Sequence, residues 1–135
     1  MLAMRTPVQV DQEFEDTAAV QTWLKNRAVW WRDQGFDPIN WIYRSWAYDA
    51  HSVAAGSRFK GDTAAALASI HARALIVAPT LDLYNPVGCA AEAARHIPGA
   101  EFHVLESNWG HLMASASDGP TSAWLNQKIR VFLKS

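Results

Sequence analysis

Apolar positions recur with a helical period through the first half of the chain and gather into short continuous runs in the second. Between residues 16 and 34, Val20, Trp23, Leu24, Trp30 and Trp31 form an imperfect stripe. Asp16 opens that segment as an N-cap and Gly35 closes it. Asp37 and Pro38 then start a second helix, on which Ile39, Ile42, Tyr43, Trp46 and Ala50 share one face. From residue 62 the texture changes. "DTAAALASI" reads as a short helix capped by Asp62. "ALIVAP", 74–79, is too short and too uniformly apolar for a helix and reads as a strand buried on both faces. "NPVGCAAEAARHI" reads as a helix capped by Asn85, with Pro86 in its first turn, and "EFHVLE", 101–106, as a second strand. "GPTSAWLNQKIRVFLKS" closes the chain as a helix with Trp124, Leu125, Ile129 and Phe132 inward. The order helix, strand, helix, strand, helix predicts an α/β unit whose right-handed crossover makes the two strands parallel.

Composition narrows the function classes. With 135 residues, 50% hydrophobic and 19% charged, the chain should fold as one domain or a large part of one. Seven tryptophans supply large surfaces to bury. A formal net charge of -1, with no block of like charges, gives no footprint for nucleic acid. Cys89 is the single cysteine, so no internal disulfide forms, and it reads as a small core residue. No stretch reaches membrane-spanning length, and the start "MLAMRTPVQV" lacks the apolar core of a signal peptide. A soluble cytoplasmic protein is the expectation.

Parallel sheets gather their chemistry beyond the carboxyl ends of the strands. Two residues stand there: Asp82, in "APTLDLYNP", and His111, in "SNWGHLM". Alone, the aspartate reads as a turn residue and the histidine as structural. Together, on consecutive strand ends, they are placed to form a carboxylate–imidazole pair in which the acid orients the base. Asp before His is also the chain order of the hydrolase architecture in which the nucleophilic serine comes first. Glu106 is an alternative acid for His111, with solvation at a strand end as its plainer role. His51 has no second histidine at metal-ligand spacing, and His71, His96 and His103 read as surface residues.

Three stretches carry a resemblance to the C-terminal part of the α/β-hydrolase superfamily, and within it to the homoserine O-acetyltransferase family. "FDPINWIYRSWAYDAHSV" resembles that family's lid-to-core segment, "ALIVAPTLDLYNP" the strand and loop of the triad acid, and "AEFHVLESNWGH" the last strand and the triad histidine. Together they cover most of residues 36–134. The resemblance implies a helical lid over 1–61 and the last two βα units of the core over 62–135. It implies Asp82 as triad acid and His111 as general base for a serine. No glycine here is followed two residues later by serine or cysteine, so the G-x-S-x-G turn is absent and the nucleophile is expected upstream or on another chain. This chain alone is therefore expected to be inactive.

Leu112 follows His111 where acetyltransferases of that family usually carry Asp, and an apolar side chain cannot pair with the ammonium of an amino-acid acceptor. Leu81 likewise stands before Asp82 where the family often has serine. An esterase thus stands beside an acyltransferase as the expected activity. No metal or organic cofactor is implied, and acyl-CoA is a candidate co-substrate. Expected partners are a small acyl donor or acceptor, together with a second copy or an N-terminal half carrying the nucleophile. The alternative is a non-catalytic helical dimerisation or interaction module derived from a hydrolase, with Trp30, Trp31, Trp41 and Trp46 as anchors.

Overall fold

Two parallel strands, β1 (Leu75–Pro79) and β2 (Glu101–Leu105), pair in register from Leu75 opposite Glu101 to Pro79 opposite Leu105. The structure, a computed structural model, describes residues 4–115 and 119–135. The first three positions of the expected 1–61 helical region lie outside it. In chain order the helices are α1 (Pro7–Glu13), α2 (Thr17–Asp33), α3 (Pro38–Asp49), α4 (Thr63–Ala68), α5 (Val87–His96) and α6 (Gly119–Lys134). A 3-10 helix, Gly110–Ser115, joins β2 to α6. The arrangement is compatible with part of an α/β fold.

Local chemistry accounts for most boundaries. Asp16, Asp37 and Asp62 accept from the backbone amides of Ala19, Ile39 and Ala65, which fixes the starts of α2, α3 and α4. Gly35, at φ 70°, follows α2. The ladder begins where Glu101 N–H donates to the Ala74 carbonyl. It runs one residue past β1, where Thr80 N–H donates to the Leu105 carbonyl at 3.1 Å. Both strands therefore end level, and the loops after them leave side by side. Helix α5 packs on both strands and on α4. That β1–α5–β2 unit is the frame that positions the site.

Four expectations from the pattern are corrected. Asn85 does not cap α5. Pro86 takes the N-cap position, and with no side-chain acceptor it makes no capping bond. Cys89 is exposed rather than buried, since it lies on the open side of α5. Ile129 is exposed, whereas Trp124, Leu125 and Phe132 are partly buried. Strand β1 is fully buried only at Ala78 and Pro79. Leu75, Ile76 and Val77 keep partial access because the described residues pair it on one edge alone.

The apolar core of the described residues is small: Ala54, Ala66, Ala78 and Leu105. No residue of α2 or α3 is fully buried, and the predicted α3 face, including Ile39 and Trp46, lies open. Its aromatics pair with one another instead, as Tyr43 does with Trp46. Helix α1 went unforeseen. Thr6 caps it, Pro7 starts it, and Gln9 completes a capping box by returning its side chain to the Thr6 amide. Among the described residues, no helix is long and apolar enough to cross a membrane.

Candidate active site

The loop after β1 folds around Asp82. Its Oδ1 accepts from the backbone amides of Tyr84 at 2.8 Å and Asn85 at 2.9 Å, which closes an Asx turn just before Pro86 admits α5. With Oδ1 held by the main chain, Oδ2 is left to face the neighbouring loop. There it meets His111 Nδ1 at 3.0 Å.

The loop after β2 is pinned from two sides. Ser107 Oγ accepts from the Trp109 amide, and the Asn108 carbonyl accepts from Thr6 Oγ1 at 2.8 Å. Gly110 then passes so close to the first loop that only a glycine fits. Its φ is 50°, and a β-carbon there would stand 3.0 Å from both the Leu81 carbonyl oxygen and Thr6 Cγ2. This close passage carries His111, at the start of the 3-10 helix, onto Asp82.

The Asp82 side chain is 6% exposed and that of His111 26%, so the carboxylate is the sheltered partner and the imidazole the accessible one. Burial alone would push the Asp82 carboxyl up. The Asn85 amide, the His111 imidazole and the Tyr84 amide outweigh it and hold the group below its ordinary value of 3.8. An ionised Asp82 accepts a hydrogen bond from Nδ1–H, which fixes the neutral tautomer and leaves the Nε2 lone pair as a base. Asn85 Nδ2 lies 3.4 Å from the same Nδ1. Two donors cannot share a bond, so in this tautomer the Asn85 amide group borders the ring without donating to Nδ1. The Tyr84 ring lies across the imidazole, with centroids 5.0 Å apart and planes at 35°.

Asp82, not Glu106, is thus the carboxylate at hydrogen-bonding distance of His111. Glu106 is exposed and borders two open clefts of about 500 and 470 Å³ beside the 106–108 loop, neither lined by Asp82 or His111. His96 bonds Glu92, and His103 meets the Trp124 ring edge-on. Among the described residues, no cluster of His, Cys, Asp or Glu could hold a metal ion. The residues that pattern reading missed at the site are Thr6, Tyr84, Asn85 and Gly110. Only Thr6 carried a usable signal, the T-P-x-Q capping spacing.

No protein-family model matches the chain. Two curated relatives match part of it. One is named a probable esterase, from Corynebacterium glutamicum, and is 36% identical over 77 residues. The other is named homoserine O-acetyltransferase, from Trichormus variabilis, and is 37% identical over 78 residues. The matches take in 56% and 58% of this chain but 21% of each relative, so the chain spans about a fifth of the length of the curated relatives it matches.

Proposed function

We propose that this chain supplies the acid–histidine half of a serine-dependent acyl-transfer site, as the C-terminal portion of an α/β-hydrolase-type acyltransferase or esterase. The observation that carries the reading is the 3.0 Å contact between His111 Nδ1 and Asp82 Oδ2, with the other carboxylate oxygen held by two main-chain amides. The names of the two partial relatives, an esterase and an acetyltransferase, support the same reaction class. In this reading residues 1–61 form a lid-like helical region and 62–135 contribute the last βα units of the core.

In that role His111 Nε2 takes the proton of an incoming serine hydroxyl as its oxygen bonds to the acyl carbonyl carbon. Collapse of the tetrahedral species breaks the bond to the leaving alcohol or thiol, which leaves with the proton from Nε2. The same nitrogen then deprotonates water or an acceptor hydroxyl, whose attack releases the acyl group and returns the proton to the serine. Asp82 stabilises each imidazolium and stays ionised throughout. An acyl-CoA fits the donor role. Leu112, beside His111, offers no charge to an acceptor's ammonium, which favours water or an uncharged hydroxyl as acceptor.

A serine-directed fluorophosphonate tests this reading. The 135-residue chain should stay unlabelled and hydrolyse activated esters no faster than free imidazole. An assembly of the chain with a nucleophile-bearing segment should label on a serine outside it. Stoichiometric labelling of a serine within this chain would defeat the proposal.

A second reading, a helical dimerisation module derived from a hydrolase, is favoured by one observation: the α3 face. Ile39, Tyr43 and Trp46 are 55%, 63% and 62% exposed, a degree of apolar exposure that a self-contained helix would bury. Sedimentation at micromolar concentration checks it, since a strict monomer rules out dimerisation.

A further inference from the structure

Tyr84 touches both members of the pair. Its backbone amide donates to Asp82 Oδ1 at 2.8 Å, and its ring centroid lies 5.0 Å from that of His111. The side chain is not placed there by core packing, because the residue is 55% exposed. An aromatic ring left this open to water gains little from burial, so its ring contact among the described residues, the imidazole, accounts for its position.

That contact answers a mechanical need. A histidine torsion about Cβ–Cγ is broad, with two nearly equivalent settings that exchange Nδ1 with Cδ2 at a given partner. The bond from Nδ1 to Asp82 Oδ2 selects one setting but leaves the ring free to tilt about that bond. A second ring packed against the imidazole, with centroids 5.0 Å apart and planes at 35°, opposes the tilt, and such aromatic pairs contribute beyond their buried area. Asn85 does not serve this purpose. Its side-chain nitrogen lies 3.4 Å from Nδ1 and, beside an Nδ1–H, makes no bond that would hold the ring.

We propose that Tyr84 is a positioning residue for His111: its amide fixes the Asp82 carboxylate while its ring fixes the imidazole plane, so that Nδ1 stays on Oδ2 and Nε2 stays presented. The inference rests on reading His111 as the general base, and it adds a residue whose main chain and side chain act on different partners. Because the amide survives substitution, side-chain variants isolate the ring's part.

The experiment is long-range proton–nitrogen NMR on the full chain at neutral pH. It reports which ring nitrogen of His111 carries the proton and, through ring-current displacement of its carbon-bound protons, whether the Tyr84 ring lies over it. In Tyr84→Leu the displacement should vanish, and the ratio of Nδ1-protonated to Nε2-protonated imidazole should fall about two- to ten-fold. Tyr84→Phe should keep both. An unchanged ratio in Tyr84→Leu overturns the proposal, as does a Tyr84→Phe variant that behaves like Tyr84→Leu. Loss of the native amide dispersion in Tyr84→Leu also counts against it, because it assigns the ring to the core. Asp82→Asn, measured alongside, separates the two levels. No change of tautomer there defeats the Asp82–His111 reading itself, whereas a change there without one in Tyr84→Leu defeats the Tyr84 inference alone.

Discussion

Gly110 lies against Leu81 so closely that a β-carbon on the glycine would stand 3.0 Å from the Leu81 carbonyl oxygen. The carbonyl belongs to main chain held between β1 and the Asx turn, so it yields less readily than a side chain would. Gly110→Ala must therefore push the two loops slightly apart while holding a left-handed backbone, φ 50°, that only glycine adopts without strain. The variant should lose about 1–3 kcal/mol in urea unfolding and should weaken the Asp82–His111 contact as well. Gly119→Ala, where a β-carbon meets nothing within 4 Å and φ is ordinary, is the control and should change little.

Asp82→Asn should keep the turn, because an amide oxygen can still accept from Tyr84 and Asn85. It cannot act as an anionic acceptor for Nδ1–H, so the imidazole loses its preference for the productive tautomer. In an assembly that carries the nucleophile, acyl transfer should fall by about 10⁴-fold in kcat, with KM little changed. An assembly in which Asp82→Asn costs less than tenfold would locate the chemistry elsewhere.

The pH dependence of stability follows from the same carboxylate. Asp82 is held below its ordinary value of 3.8 in the folded state, so the unfolded chain binds its proton more readily. Its stabilising contribution is complete well above 3.8 and drains away as pH falls through the lower folded value. Urea unfolding at stepped pH should show stability falling as pH drops from about 3.8 towards that lower value, and Asp82→Asn should flatten this acid limb without altering the slope at neutral pH.

The sequence made the β1–α5–β2 frame legible because each part has a strong local cause. A short apolar run ended by Pro79 cannot be a long helix, and aspartates before Thr17, Pro38 and Thr63 mark helix starts whatever surrounds them. Asp82 and His111 were legible as candidates from strand-end position and from resemblance. The rest depends on partners distant in sequence. Asn85 reads as a cap, yet its backbone amide serves Asp82 and Pro86 stands at the N-cap, and Tyr84 has no pattern at all before folding brings His111 beside its ring. Cys89 and Ile129 were misread for a common reason: an apolar residue on a helix implies a covering layer, and the described residues do not supply one there.

Thr6 is fully buried, and its hydroxyl meets a carbonyl 102 positions further along the chain. That clasp turns most of the polypeptide into a single closed loop. Closing a flexible loop of that length costs entropy that no nearby pairing can repay in advance. Helix α1, seven residues long and too short to hold alone, gains this contact only once residue 108 has left the ribosome. The loop that carries His111 is therefore among the last parts of the molecule to acquire its shape, and slow, late recovery of that loop is the expected signature of refolding.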